Sequence, residues 1–196
     1  NLTTNGTSPV DGILLDNPAA SNLSSGTCEI YNNRDHDLEN TNISAGNVTG
    51  LKVNLTANPS SVSRIYNNFV SNLNSGSTST VSRKILGISI QEAGGGDEAT
   101  YNVDFNSVRL SPVNVTCPNS CFETGTATAP IIKVRNNVFA NFVGTQHGSG
   151  KHYCWVTPAG NAIGAAGSVS DHNVIHINNT SNGFLGSAGN VDKLLL

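Results

Sequence analysis

The sequence predicts an all-β protein, a right-handed parallel β-helix of about five coils with roughly 35 residues per coil. Three observations support this prediction: the composition disfavours helices, one short phrase recurs at even spacing, and an asparagine closes each copy of the phrase. Short strands that alternate inward and outward side chains suit a coil that turns through several faces in every circuit. Each coil then buries its apolar face against its neighbours.

The composition excludes several classes of protein. Asparagine is the most frequent residue, and serine, threonine, glycine and valine are also abundant. All five are poor helix formers. Only 12% of the residues are charged and the formal net charge is −3, so the basic footprint of a nucleic-acid-binding protein is missing. No apolar run reaches the length of a membrane-spanning helix. A soluble β protein with many turns remains, and neither nucleic acid nor a membrane is an expected partner.

The recurring phrase places an asparagine between apolar residues. It appears as Ile65-Tyr66-Asn67-Asn68-Phe69, as Val134-Arg135-Asn136-Asn137-Val138 and, in weaker form, as Asp171-His172-Asn173-Val174. The last asparagines of five copies are spaced by 35, 38, 31 and 36 residues, and they are Asn33, Asn68, Asn106, Asn137 and Asn173. A second strand phrase lies between copies, as Leu51-Lys52-Val53, Gly87-Ile88-Ser89-Ile90, Cys121-Phe122 and Cys154-Trp155-Val156.

The five asparagines are predicted to form a ladder along the β-helix. Asparagine tolerates the left-handed backbone that a sharp bend needs, and its amide both donates and accepts hydrogen bonds. Equivalent residues of neighbouring coils lie about 4.8 Å apart, so each amide can bond to the next. Turn asparagines of an antiparallel sandwich are the alternative. Such turns would not repeat the apolar residues on both sides of the asparagine.

Several segments carry a resemblance to a known family. They include Arg64-Ile65-Tyr66-Asn67-Asn68-Phe69-Val70-Ser71-Asn72-Leu73 and residues 105–111, 134–141, 150–153, 170–173 and 182–186. In order and spacing they resemble right-handed parallel β-helix modules of large secreted and cell-surface proteins of Bacteroidota, many of them cargo of the type IX route. The resemblance implies the fold and a secreted or cell-surface location, and it implies no particular activity.

The resemblance covers roughly residues 60–190, whereas residues 1–60 fit only through Tyr31-Asn32-Asn33. Because one repeat pattern runs through most of the chain, residues 1–196 are expected to form a single β-helix domain. Since the chain opens and closes in the middle of the pattern, we expect it to be a fragment or module of a longer protein.

The four cysteines favour disulfide bonds and an oxidising, extracellular compartment. Cys121 and Cys154 lie 15 and 17 residues after the preceding ladder asparagines. Stacked on adjacent coils, they would lie within the Cα distance of a disulfide. A bridge between Cys117 and Cys121 competes with this pairing, and buried free thiols are a further alternative. Phe122 and Trp155, which follow the two stacked cysteines, are expected to stack as an aromatic pair.

The sequence predicts no catalytic residue, no metal site and no cofactor. The densest acidic segment is Asp35-His36-Asp37, whose two carboxylates would share one face of a strand. Paired carboxylates are the groups that glycosidases use. A solvated turn is the favoured interpretation, because no polygalacturonase or lyase signature accompanies them. His172 and His176 would likewise share a strand face without converging on a metal.

Two further signals have both a functional and a structural interpretation. Ala93-Gly94-Gly95-Gly96-Asp97-Glu98 has the look of one glycine-rich calcium repeat, but such sites need tandem copies, so a solvated loop is favoured. Tyr31, Tyr66, Tyr101 and Tyr153 are candidates for a sugar-binding platform, and the alternative is that they flank the core or cover the coil surface.

The function that these patterns favour is a non-enzymatic, extracellular structural or adhesive module of a surface protein. A β-helix has two open ends, whose strand edges are templates for association unless they are covered. Neighbouring modules or copies of the chain are the expected partners at these ends, and head-to-tail contact of identical ends would give filaments. The alternative is a carbohydrate-active β-helix that binds or cleaves a polysaccharide in a lateral groove.

Overall fold

The chain folds as a stack of short strands in three sheets. A computed structural model describes residues 2–17, 27–44, 46–55, 61–78, 85–92, 99–112, 116–125, 130–142, 150–157, 167–178, 182–188 and 191–193. Within these residues there are eighteen strands and no helix, and the chain visits the three sheets in the same order in each coil. The prediction of an all-β parallel solenoid is therefore confirmed.

Sheet 1 contains the first strand of each coil. Its strands are β3 (Thr27–Tyr31), β6 (Val62–Tyr66), β9 (Thr100–Asp104), β12 (Ile131–Arg135) and β15 (Val169–Asp171). All pairings between them are parallel. Their side chains alternate between core and solvent, as in β6, where Ser63 and Ile65 are buried and Arg64 is exposed.

Sheet 2 contains the second strand of each coil and one strand of an additional, incomplete coil at the N-terminal end. Its strands are β1 (Leu2–Thr4), β4 (Arg34–Asn40), β7 (Phe69–Ser75), β10 (Ser107–Leu110), β13 (Val138–Asn141) and β16 (Val174–Ile177). They pair in parallel in this order, so β1 and β16 are the two edge strands.

Sheet 3 contains the third strand of each coil, one strand of the incomplete N-terminal coil and one additional strand at the C-terminal end. Its strands are β2 (Val10–Asn17), β5 (Val48–Leu55), β8 (Ile85–Glu92), β11 (Asn119–Thr124), β14 (His152–Thr157), β17 (Gly183–Ala188) and β18 (Val191–Lys193). The strand β18 pairs with β17 in the antiparallel direction, whereas the other pairings are parallel. The second strand phrase of the sequence forms β5, β8, β11 and β14.

Apolar side chains from the three sheets form one continuous core. Equivalent positions of successive coils stack in register, so several rows of the core repeat one type of side chain. One row of sheet 1 consists of Ile30, Ile65, Val103 and Val134. Because each coil buries its row against the next coil, the stack rather than the single coil is the stable unit.

The predicted asparagine ladder is confirmed. Each Nδ2 donates to the Oδ1 of the next ladder asparagine, at 3.0 Å from Asn33 to Asn68, 2.9 Å from Asn68 to Asn106, 3.0 Å from Asn106 to Asn137 and 2.9 Å from Asn137 to Asn173. The same Oδ1 atoms also accept the backbone N–H of the preceding ladder residue. The amides therefore bridge the coils at the bend between sheet 1 and sheet 2.

The left-handed residue of each bend is not the ladder asparagine, as the sequence predicted, but the residue before it. These residues have φ between 53° and 59°, and they are Asn32, Asn67, Phe105, Asn136 and His172. There is a physical reason why the left-handed residue and the ladder asparagine are two different residues. The left-handed residue turns the chain and points its side chain outward, which leaves the following asparagine directed inward to bond with its neighbours.

Candidate functional site

The structure places Cys121 and Cys154 at equivalent positions of adjacent coils, as predicted from their spacing. The residues on either side of them pair in register between β11 and β14. Nevertheless, none of the four cysteines is in a disulfide bond. Neither the expected Cys121–Cys154 bridge nor the Cys117–Cys121 alternative is formed.

The surroundings of these thiols disfavour the thiolate form. Cys117, Cys121 and Cys154 are all fully buried. Desolvation, followed by hydrogen bonding to Cys154, raises the pKa of Cys121 well above its ordinary value. Disulfide exchange needs a thiolate, which this environment disfavours, so the cysteines pack as small apolar residues.

The aromatic pair is adjacent but not stacked as the sequence predicted. Phe122 and Trp155 pair in register, and their rings meet edge to face at 5.1 Å and 86°. Phe122 is stacked instead on Phe139 of sheet 2, at 5.5 Å and 9°. Both indole contacts, with Phe122 and with Phe139, are edge to face, an arrangement that the ring quadrupoles favour. These rings fill the core and are not accessible to a ligand.

The acidic segment does not bring its carboxylates together. Asp37 has a left-handed backbone with φ 59°, which interrupts the alternation of β4. Asp35 lies in register with the buried Val70 of β7, so its carboxylate points inward, against Gly12 of β2. Asp37 points outward, where it bonds to His36 at 2.7 Å and to Asn72 at 3.1 Å. The expectation that the two acids share a face is therefore wrong.

The two histidines near the C-terminal end also remain apart. His172 is exposed and lies 2.8 Å from the Asp171 carboxylate, and His176 packs against the ring of Phe142. In the described part of the chain, no three His, Cys, Asp or Glu side chains gather as metal ligands. The segment at 93–98, the calcium-repeat candidate, lies outside the described residues.

The four tyrosines separate into two groups. Tyr101 and Tyr153 are buried, so neither is available as a sugar platform. Tyr31 and Tyr66 lie on the outer face of sheet 1, where their rings stack at 4.9 Å and are parallel within 2°. In such a stack one face of Tyr66 is covered by Tyr31. Its other face is directed along the solenoid toward the next coil.

The strand register assembles charged and polar side chains on the outer face of sheet 1. Two rows of side chains run along it, formed by Glu29, Arg64, Asn102, Lys133 and Val169, and by Tyr31, Tyr66, Asp104, Arg135 and Asp171. Ion pairs join neighbouring coils along both rows. Opposite charges placed directly across a strand pair stabilise the pairing modestly.

Two ion pairs fix the arginines of this face. Arg135 binds Asp104 through two parallel hydrogen bonds of 2.9 Å, and this pairing raises the pKa of Arg135. Arg64 donates to Glu29 at 3.0 Å. Desolvation, followed by the charge of Glu29, raises the pKa of Tyr66. Each arginine therefore has a fixed carboxylate partner, and the two pairs together carry no net charge.

An open hollow of about 310 Å³ lies between these side chains, and we call it the Phe105 pocket. Its lining residues are Arg64, Tyr66, Asn102, Asp104, Phe105 and Arg135. Its volume is at the lower end of the range of about 300–1,000 Å³ that small-molecule sites occupy. The shorter side chains Asn102 and Asp104 lie between longer ones in the preceding and following coils, which creates the depression.

Sequence reasoning did not identify this pocket, although a signal was present. The residues before the five ladder asparagines are Asn, Asn, Phe, Asn and His, so Phe105 and His172 depart from the pattern and Phe105 is the apolar one. Within the described residues, no helix is long and apolar enough to cross a membrane. Comparison of the chain with protein-family models, with curated proteins and with solved structures gives no match.

Proposed function

We propose that the protein is a non-enzymatic, extracellular module that serves as a structural and adhesive rod within a cell-surface assembly. The observation that carries this proposal is the asparagine ladder, which links every coil to the next through paired hydrogen bonds. A buried hydrogen-bond network of this kind rigidifies a structure when its members are satisfied. A stiff rod of constant cross-section suits a spacer or stalk.

Composition supports the extracellular location. The chain contains few charged residues and no methionine. It therefore has no side chain that oxidation could convert to methionine sulfoxide. The cysteines lend no support, because they are thiols. A location outside the cell is tested by fractionating cells that produce the native protein and by protease accessibility on intact cells.

The ends of the solenoid support an assembly role. Among the described residues, β15 and β16 have no further strand beyond them at the C-terminal end, and β3 has none at the N-terminal end. Exposed apolar side chains accompany the C-terminal edge, with Val169 at 41% and Val174 at 57% exposure. Uncovered strand edges are templates for pairing with another chain. We therefore propose neighbouring modules or further copies of this chain as partners at the ends.

Electron microscopy of the purified protein at neutral pH tests assembly. We expect filaments with an axial repeat of about 24–30 Å, which corresponds to five or six strands at 4.8 Å. Val174→Lys adds a charge to the edge strand and should abolish the filaments. Val138→Lys is the matched control, because Val138 occupies the same row one coil further in. Dispersed rods from the unmodified protein would contradict self-assembly.

A further inference from the structure

Phe105 breaks the pattern of its own repeat. It occupies the left-handed position of the bend with φ 59°, where three of the other four coils have asparagine. Asparagine and glycine adopt this backbone readily, whereas a bulky side chain is strained there. Its ring is also 60% exposed, so burial in the core does not compensate for the strain. Residues that are held in an unfavourable backbone conformation are concentrated at functional sites.

The pocket beside Phe105 combines an apolar wall with fixed polar groups. The uncovered face of Tyr66 and the ring of Phe105 supply the aromatic surface. Asn102 contributes an amide, and Arg135 keeps guanidinium donors beyond the two that bind Asp104. Because the ion pairs hold these groups in place before a ligand arrives, little side-chain freedom is lost on binding.

The charge of the pocket indicates the ligand. Arg64 is neutralised by Glu29 and Arg135 by Asp104, so neither an anion nor a cation is favoured. The matching ligand is uncharged, has an apolar ring face for the aromatic side chains, and has hydroxyl groups for the amide, carboxylate and guanidinium. A pyranose ring of a neutral polysaccharide has these three properties.

We propose that the Phe105 pocket binds one neutral sugar ring of a polysaccharide, without cleaving it. The inference builds on the proposed adhesive function, because it names the ligand through which the rod attaches. Binding occurs on the side of the solenoid, so both ends remain available for neighbouring modules. Phe105 provides the stacking surface, and Arg135 and Asn102 provide the directional hydrogen bonds.

Isothermal titration calorimetry of the full chain tests this proposal with cellohexaose, xylohexaose and mannohexaose, and with polygalacturonate as a charged comparison. We expect at least one neutral hexasaccharide to bind, and polygalacturonate to bind at least tenfold more weakly. Phe105→Asn should weaken binding at least tenfold. This variant restores the residue that suits the bend, so its melting temperature should rise, which separates loss of binding from loss of folding.

Phe69→Asn is the matched control, since Phe69 is an exposed aromatic residue that does not line the pocket. It should bind the same oligosaccharide within twofold of the unmodified protein. Failure of the unmodified protein to bind any neutral hexasaccharide at millimolar concentration would overturn the inference. Unchanged binding by Phe105→Asn, or binding of polygalacturonate alone, would overturn it as well. Filament formation is measured separately, so failure of this inference is distinguishable from failure of the structural role.

Discussion

Asp35 is a carboxylic acid at the end of an otherwise apolar row. The other members of the row, which stack inward along sheet 2, are Val70, Val108, Phe139 and Ile175. Its Oδ2 is buried and has no hydrogen-bond partner among the described residues. Desolvation raises the pKa of Asp35 from 3.8 to about 6, against a smaller opposing effect of His36. The folded state therefore favours the neutral acid.

The sign of the pH dependence follows from this shift. The folded pKa is higher than the unfolded one, so the contribution of Asp35 to stability is complete below pH 3.8. It is lost as the pH rises through about 6. A shift of two units corresponds to about 3 kcal/mol. Because Asp35 as a residue is only partly buried, solvent screening reduces this to about 1 kcal/mol.

Replacement of Asp35 by asparagine removes the charge and keeps the shape. We expect Asp35→Asn to leave the free energy of unfolding unchanged below pH 4 and to raise it by about 1 kcal/mol at pH 7.5. Urea unfolding of both proteins at four pH values between 3.5 and 7.5 measures the difference.

Asp37→Asn is a control whose effect on stability at neutral pH should have the opposite sign. Hydrogen bonds from His36 and Asn72 lower the pKa of Asp37, so the ionised Asp37 stabilises the folded state above its unfolded pKa. We expect Asp37→Asn to destabilise the protein at neutral pH and to have no effect at low pH. A difference between Asp35→Asn and the unmodified protein that is independent of pH would refute the reasoning about Asp35, as would destabilisation at pH 7.5.

Three further predictions concern the ladder, a close backbone contact and the thiols. Asn106→Ala removes five side-chain hydrogen bonds and should cost about 3 kcal/mol in urea unfolding, whereas Asn33→Ala at the end of the ladder should cost about 1 kcal/mol. Gly87→Ala should destabilise the protein by about 1–3 kcal/mol, because a Cβ there would overlap the backbone carbonyl of Cys121 in the next coil. Gly125→Ala should be neutral or stabilising, because its Cβ would meet only the side chain of Gln91, at 3.5 Å. Thermal melts compare the two variants. A thiol-reactive dye should label the half-buried Cys28 in the folded protein and the other three cysteines only after unfolding, as read by mass spectrometry.

The coil architecture was predictable because it depends on a pattern that recurs. The apolar residues around Asn68 and Asn137 return at nearly constant spacing, and stacking of identical phrases follows from that spacing alone. Residues 1–60, where the repeat is weak, nevertheless contribute five strands to the same sheets. The pairing of β2 with β5 extends over seven residue pairs, so cross-strand packing defines this region where the repeat pattern does not.

The geometry of the candidate functional site could not be predicted, because it depends on features that a repeat pattern does not contain. The outward direction of Asp37 follows from its left-handed backbone, and the inward direction of Asp35 follows from its register with Val70; no local phrase specified either. The Phe105 pocket requires short side chains between longer ones on three successive coils, and that relation is visible only once the register is known. The burial of Cys117, Cys121 and Cys154 likewise became visible only in the fold, because the sequence contained only their spacing.

The asparagine ladder has a direction. Every link runs from the amide N–H groups of one coil to the Oδ1 of the next, so within the ladder Asn33 only donates and Asn173 only accepts. A coil copied in full and inserted anywhere along the stack brings one acceptor and one set of donors, and every existing link is preserved. The length of such a protein can therefore change by duplication of whole coils without redesign of its core.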